Sequence, residues 1–183
     1  MIRKAQIGDV KEIQKLLMTF ANRGDMLSRS LSEIYESLRD FYVFEEDGTL
    51  LGVAALHIVW DDLAEVRSVA VAEDAGRKGI GSLLVQACIA EAHQIGLKRI
   101  FCLTYKPDFF GKHGFRRVEV THLKARGFEQ RSQRVAYVGV IVHDQNRIGH
   151  TIIPILLSAI ECGTRRHPHP LASPRAAHGA PRR

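Results

Sequence analysis

The 183-residue sequence lacks long hydrophobic runs and has only three cysteines. No stretch reaches the roughly 18 to 20 apolar residues that a membrane-spanning helix needs, and the first residues, MIRKAQIGDVKEIQ, have no apolar core of the signal-peptide kind. We therefore expect a cytoplasmic protein without a membrane partner. Cys88, Cys102 and Cys162 are an odd number without C-x-x-C spacing, which argues against a disulfide framework and against a zinc knuckle. No metal is predicted.

Lysine is absent from the last third of the chain, and this absence locates the net charge. Residues 1–124 hold 17 basic and 17 acidic residues, whereas residues 125–183 hold nine arginines and three acidic residues, which supply the whole net charge of +6. Because the positive excess belongs to residues 125–183 alone, no nucleic-acid partner is predicted. We divide the chain into a folded domain at 1–124, an atypical segment at 125–163 and a tail at 164–183 that is expected to be disordered. The apolar run VAYVGVIV in the middle segment could supply a last strand.

Residues 1–124 alternate between strand and helix patterns, which predicts an α/β (α+β) fold with the order β-α-α-β-β-β-α-β-α-β. Ser30 and Glu33 have capping-box spacing ahead of a short helix. Glu46-Asp47-Gly48-Thr49 separates two β-rich runs, as in a hairpin. The predicted elements are strand 2–5, helix 10–21, a helix after Ser30, hairpin 41–60, strand 64–71, helix 82–96, strand 99–105, short helix 107–114 and strand 115–120.

A glycine-rich turn between a strand and the long helix is the most informative segment. Gly79 and Gly81 let the backbone approach a ligand closely, and the amides at the helix start favour an anion. Arg77 and Lys78 add positive charge to the same loop. The pattern suits a phosphate held by backbone amides, with plain turn geometry as the alternative. It is neither a P-loop nor a dinucleotide fingerprint, because the spacing of both motifs is missing.

The segment AEVRSVAVAEDAGRKGIGSLLVQACIAEA resembles the acetyl-CoA binding core of the GNAT superfamily of N-acetyltransferases, whose signature is Q/R-x-x-G-x-G/A. Gly79 and Gly81 match its glycines, while Gly76 stands at the Q/R position. The pair Gly114-Phe115 matches the G-F that commonly opens the sixth strand. The resemblance covers residues 1 to about 124 and implies a GNAT-like mixed, mostly antiparallel central sheet flanked by helices.

Three longer blocks narrow the resemblance. MLSRSLSEIYESLRDFYVFEEDG, AALHIVWDDLAEVRSVAV and LTYKPDFFGKHGF are similar to the short, single-domain bacterial enzymes of the N-acetylglutamate synthase type. The resemblance implies acetyl transfer from acetyl-CoA to the α-amine of L-glutamate, the first step of arginine biosynthesis, and a homodimer is a further expectation. Two alternatives stay open: an acetyltransferase for another amine or a protein N-terminus, and a non-catalytic module that binds acyl-CoA.

The same resemblance implies roles for particular residues. Glu65 is the expected base, acting through water, because the acceptor amine is mostly protonated at neutral pH. Many GNAT proteins carry a Tyr acid where this chain has Phe110, so Thr104, with Tyr105 adjacent, is the expected acid, and unassisted departure of the thiolate is the alternative. The expected acetyl and pantetheine contacts are Val69, Ala70 and Val71; the expected pyrophosphate contacts are Arg77, Lys78, Gly79, Ile80, Gly81 and Ser82.

Glutamate carries two carboxylates, so its pocket should contain cations, preferably a guanidinium. By resemblance Arg29 is the first expected partner and Lys106 the second, with Leu27 and Ser68 as neighbouring contacts. For two other residues the sequence favours a structural role over a catalytic one. Arg67 could pair with Asp61 or Asp62, and His57 is expected on a sheet face rather than in catalysis.

Overall fold

The structure, a computed structural model, describes residues 1–117 and the backbone of residues 139–144. Its helices are α1 Val10–Ala21, α2 Leu31–Glu36, α3 Ile80–Gln94 and α4 Pro107–Gly111. Its strands are β1 Ile2–Lys4, β2 Phe41–Glu46, β3 Thr49–Trp60, β4 Leu63–Val71, β5 Arg99–Thr104, β6 Arg116–Arg117 and β7 Gly139–Asp144. The predicted element order is confirmed, with single 3-10 turns added at Ile7–Asp9, Leu38–Asp40 and Glu73–Ala75.

The seven strands form one sheet in the order β1-β2-β3-β4-β5-β7-β6. Within the described ranges β4 and β5 are parallel and every other neighbouring pair is antiparallel. This confirms the predicted mixed, mostly antiparallel sheet. β7 overlaps the apolar run that was considered for a last strand, and it lies between β5 and β6. The predicted disordered tail at 164–183 and the strand residues 118–120 lie outside the described residues.

Local signals in the sequence account for most element boundaries. Ser30 Oγ accepts a hydrogen bond from the Glu33 amide and the Glu33 carboxylate accepts one from the Ser30 amide, which confirms the capping box. The hairpin turn places Asp47 at φ 50° and Gly48 at φ 73°, both in the left-handed region that a type I′ turn requires. Asp9 is the N-cap residue of α1, but its side chain makes no capping hydrogen bond to that helix. Its carboxylate instead forms a bidentate pair with Arg3 and accepts the Gln6 amide.

Two apolar cores lie on opposite faces of the sheet. One core packs α1 and α2 against β2 and β3, and its fully buried members are Val10, Ile13, Leu17, Ile34, Phe41, Val43, Val53 and Ala55. The other packs α3 and α4 against the sheet and includes Leu56, Ala64, Val66, Leu84, Val85 and Cys88. Because side chains alternate across a strand, odd and even residues of β3 serve different cores. Burial raises the pKa of the Cys88 thiol to about 12, so this cysteine is an inert core residue.

β4 breaks this alternation at one point. Ala64 and Val66 belong to the α3 core, yet Ala70 belongs to the α1 core. The pairing explains the change of parity, because three steps on β4, from Arg67 to Ala70, stand opposite two steps on β3. The extra residue is a β-bulge at Ser68, which lies at φ 55°. Val69 therefore faces the α3 side.

The helices that the structure describes include none that is long and apolar enough to cross a membrane.

Candidate active site

The sheet opens between its two parallel strands. β4 pairs with β5 over Leu63–Glu65, opposite Arg99–Phe101, and in the described part of the chain the pairing ends there. Beyond Glu65, β4 continues to Val71, while β5 keeps only β7, its partner on the other side along its whole length. The two strands therefore separate at Glu65, and the β4 edge from residue 66 to residue 71 has no β5 partner. An extended ligand can use the backbone groups of such an edge.

Arg29 reaches the bulge from the connection between α1 and α2. Its Nε donates a hydrogen bond to Ser68 Oγ over 3.1 Å. Its carbonyl oxygen accepts a bond from Gln14 Nε2 of α1 over 3.4 Å, which fixes the connection to the helix. The structure thus brings together two of the residues that were predicted to bind the substrate. Leu27, the third, lies in the same connection and is 77% exposed.

Glu65 lies on the α1 and α2 face of β4, at the point where the strands separate. Its neighbours Ala64 and Val66 point into the opposite core, and 20% of the Glu65 side chain is exposed. Burial raises the pKa of Glu65, against the charges of Arg67, Arg29 and His57, which lower it. A half-buried carboxylate with a raised pKa is suited to accept a proton near neutral pH.

A series of charged and polar side chains in mutual contact lies next to Glu65 on this face. Arg67 Nη1 lies 3.9 Å from Glu65 Oε2, and Arg67 Nη2 lies 3.5 Å from Asp40 Oδ2. Asp40 also contacts His57 Nδ1 over 2.7 Å, and His57 stands directly opposite Glu65 in the β3–β4 register. Desolvation lowers the pKa of Arg67, and the positive charge of Arg29 lowers it further. Two guanidinium groups therefore flank one carboxylate.

This arrangement corrects one prediction and agrees with another. Arg67 pairs with Asp40 rather than with Asp61 or Asp62, and Asp62 pairs with Arg99 instead. The reason is the strand alternation, which points Arg67 toward the 3-10 turn ahead of β2. His57 does lie on a sheet face, as its alternation indicates. Asp40 was missed, because nothing in the sequence links the end of that turn to β3 and β4.

The glycine-rich loop turns sharply into α3. Arg77 lies at φ 65° and Gly79, the N-cap residue of the helix, lies at φ 78°. No side chain caps this N-terminus and its first turn has no acidic residue, so the first backbone N–H groups of a 15-residue helix and its dipole face outward. Ile80 is buried beneath them. The loop has the geometry of a phosphate cradle.

Two glycines of the loop are required by close packing rather than by flexibility. A Cβ at Gly81 would lie 3.3 Å from Phe109 Cζ and 3.6 Å from Val71 Cγ2, so its absence lets α3 start against β4 and α4. A Cβ at Gly76 would lie 3.0 Å from the Glu73 carbonyl oxygen. The loop conformation therefore disfavours the Gln or Arg that the resembled signature has at this position.

The charged and polar side chains of the loop have different surroundings. Arg77 is exposed. Lys78 Nζ lies 3.4 Å from Glu46 Oε2 at the end of β2, and both groups are about half exposed. Ser82 Oγ lies 3.2 Å from Nε2 of His113, which follows α4. The sequence did not single out His113.

The end of β5 holds the remaining predicted residues. Thr104 shares a strand face with Ile100 and Cys102, so it points to the α3 side. Its Oγ1 accepts a hydrogen bond from the Lys106 amide over 2.9 Å, which leaves the hydroxyl hydrogen to be donated elsewhere. Tyr105 is 43% exposed, and the Lys106 side chain is exposed at the N-cap of α4. Phe110, at the position where the family resemblance leads one to expect a Tyr acid, is buried against Phe109 and Phe115.

These features define a class of protein. An open strand edge joins a phosphate cradle at one end and a half-buried carboxylate flanked by cations at the other. In the part of the chain that the structure describes, no group of His, Cys, Asp and Glu could hold a metal ion. Such an arrangement suits a transferase for a long, phosphate-bearing co-substrate.

Comparison with known proteins gives the class its name. The sequence profile of the acetyltransferase (GNAT) family matches residues 10–115. The chain is 36% identical, over 132 residues, to an amino-acid acetyltransferase of Mycobacterium tuberculosis, covering 70% of this chain and 75% of that protein. The chain belongs to the GNAT acetyltransferase family, and it is an acetyl-CoA-dependent N-acetyltransferase.

Solved structures agree with the family. A Mycobacterium tuberculosis protein in complex with CoA matches with a TM-score of 0.69 and 30% identity over 79% of this chain and 98% of that one. The N-acetylglutamate synthase of Neisseria gonorrhoeae, complexed with coenzyme A and N-acetyl-glutamate, matches with a TM-score of 0.70 and 29% identity. That match covers 80% of this chain and 35% of the synthase, so this chain corresponds to about a third of the longer protein.

Proposed function

We propose that this enzyme transfers the acetyl group of acetyl-CoA to the α-amine of L-glutamate. The observation that carries the proposal is the position of Glu65 beside Arg67 and within the electrostatic influence of Arg29, at the point where β4 and β5 separate. A base beside two guanidinium groups suits an acceptor that has an amine and two carboxylates. The neighbouring structure of a synthase with N-acetyl-glutamate supports the same acceptor.

The proposed reaction begins with the proton of the acceptor. Glu65 takes a proton from the α-ammonium group through a water molecule, and the freed amine attacks the thioester carbonyl. The carbon–sulfur bond then breaks and the attacking nitrogen loses its second proton to solvent, which leaves a neutral amide and the thiolate of CoA. The Thr104 hydroxyl, whose oxygen already accepts the Lys106 amide, donates the proton to the thiolate and regains one from solvent. Direct protonation by solvent is the alternative.

In the proposed complex acetyl-CoA lies along the open edge of β4. Backbone groups at Val69–Val71 hold the acetyl and pantetheine parts. The loop from Arg77 to Ser82 holds the pyrophosphate, with Gly79 and Gly81 allowing the close approach. The left-handed turn and the uncapped start of α3 support this placement.

For the acceptor, we propose that Arg29 binds a carboxylate, with Ser68 and Leu27 beside it. Lys106 is the second proposed cation. With glutamate as acceptor, the reaction is the first step of arginine biosynthesis. A cytoplasmic location, a homodimer and the absence of nucleic-acid or membrane partners belong to the same proposal, which rests there on the family resemblance and on the neutral charge of residues 1–124.

A thiol-release assay with the full chain, acetyl-CoA and a panel of amino acids, amines and peptides tests the proposal. We expect release that is selective for L-glutamate, with glutamine, aspartate and glycine at least tenfold lower in kcat/KM. Selective release with another amine or with a peptide N-terminus would contradict the proposed acceptor. Binding of acetyl-CoA without release for any acceptor would contradict the proposed reaction.

A further inference from the structure

His113 connects the end of α4 to the first turn of α3. Its Nε2 lies 3.2 Å from Ser82 Oγ, and its ring packs edge-to-face on Phe109, with 5.4 Å between the ring centroids. Phe109 in turn occupies the space that a Cβ at Gly81 would need. His113 is therefore held beside the phosphate cradle by a hydrogen bond and by packing, although no loop motif contains it.

The contact with Ser82 has a consequence for anion binding. A serine hydroxyl has one hydrogen to donate and two lone pairs to accept. Partial burial, together with the charge of Lys112, lowers the pKa of His113, so at neutral pH the ring is neutral and only one of its nitrogens has a hydrogen. If Nδ1 has it, Ser82 must donate to Nε2 and has no hydrogen left for a ligand. If Nε2 has it, Ser82 accepts and its own hydrogen can point outward.

We propose that His113 is a positioning residue for the phosphates of acetyl-CoA. Its Nε2–H donates to Ser82 Oγ and thereby directs the Ser82 hydroxyl hydrogen to a pyrophosphate oxygen at the start of α3. His113 itself does not touch the phosphate. The inference rests on the proposed placement of the pyrophosphate at this helix start, and it is independent of which amine accepts the acetyl group.

Calorimetric titration of the full chain with CoA, and separately with 3′-phospho-ADP, tests the inference without any acceptor. In His113→Leu, we expect the affinity for both ligands to fall by about 10- to 100-fold, the value of one hydrogen bond to a charged group. Ser82→Ala should lose about the same factor. His113→Gln, whose amide N–H can still donate to Ser82, is the matched control and should stay within about twofold of the wild type.

The double variant Ser82→Ala with His113→Leu shows whether His113 acts by directing the Ser82 hydroxyl or only by packing. Without the Ser82 hydroxyl there is nothing to direct, so adding His113→Leu to Ser82→Ala should change the affinity little further. Fully additive losses, a loss for CoA but not for 3′-phospho-ADP, or an unchanged affinity in Ser82→Ala would each overturn the inference. If His113→Leu does not fold, as judged by circular dichroism, the Ser82→Ala and His113→Gln titrations still decide. If the wild-type chain does not bind CoA at all, that result would instead contradict the proposed cofactor site.

Discussion

Replacement of Glu65 by Gln is the most informative single perturbation of this enzyme. Gln has nearly the same shape as Glu and keeps an acceptor oxygen, but it cannot take a proton. Glu65 lies on the open sheet face with 20% of its side chain exposed, so the substitution changes charge without opening a cavity. If Glu65 is the base, we expect kcat to fall by about 10²- to 10⁴-fold, the usual contribution of a positioned base. That range corresponds to about 3 to 5 kcal/mol in the activation free energy.

The raised pKa of Glu65 gives the same prediction a pH signature. The unprotonated carboxylate is the active form, so kcat/KM of the wild type should fall as the pH drops through the folded-state pKa. Because burial raises that pKa above the ordinary 4.5, the acidic limb should lie at a higher pH than for an exposed glutamate. In Glu65→Gln this limb should disappear, and the residual rate should rise with pH as more acceptor amine loses its proton in solution.

Stability should respond in the opposite direction to activity. The fold favours the neutral form of Glu65, so the charged form costs stability above its folded-state pKa, and this cost is absent below the ordinary pKa. We therefore expect the Tm of Glu65→Gln to equal or exceed the wild-type value at pH 8. Thiol-release kinetics and thermal unfolding check both points. Unchanged kcat with an intact acidic limb would remove Glu65 from the role of base, and a Tm several degrees lower would contradict the electrostatic argument.

Three further variants test other parts of the account. Arg29→Ala should raise the KM for glutamate by about 10- to 100-fold and leave the KM for acetyl-CoA unchanged; equal changes in both constants would argue against a substrate contact. Gly79→Val, at φ 78°, should destabilise the loop by about 1–3 kcal/mol and weaken CoA binding in calorimetry, whereas Gly8→Ala, with open space around it, should do neither. Leu17→Ala, fully buried, should cost about 2–5 kcal/mol in urea unfolding, while Leu83→Ala on the 45% exposed α3 surface should cost under about 0.5 kcal/mol.

Much of the fold could be predicted from the sequence, because local signals coincide with the elements that they predict. The capping box at Ser30 and the turn at Asp47-Gly48 place a helix and a hairpin within a residue or two. The apolar spacing of α1 gives its buried face. Asp9 is an exception: it stands at the N-cap of α1, where an Asp side chain commonly caps the helix, but its carboxylate pairs with Arg3 on β1 instead.

Less of the candidate site could be predicted from the sequence, because the site depends on contacts between distant parts of the chain. The sequence does contain one signal for the bulge near Ser68. The apolar positions of AEVRSVAV change from the even residues 64 and 66 to the odd residues 69 and 71, and such a change of parity indicates an extra residue in the strand. The pairing of Arg67 with Asp40 left no such trace, since 27 residues separate them.

The central claim is acetyl transfer to the α-amine of glutamate, and isotope labelling tests it most directly. The full chain would be incubated with acetyl-CoA carrying ¹³C at the acetyl carbonyl and with ¹⁵N-labelled L-glutamate, and the product followed by NMR. The account predicts a single product with one-bond ¹³C–¹⁵N coupling. Label that stays in acetyl-CoA, or that appears only as free acetate, would contradict it.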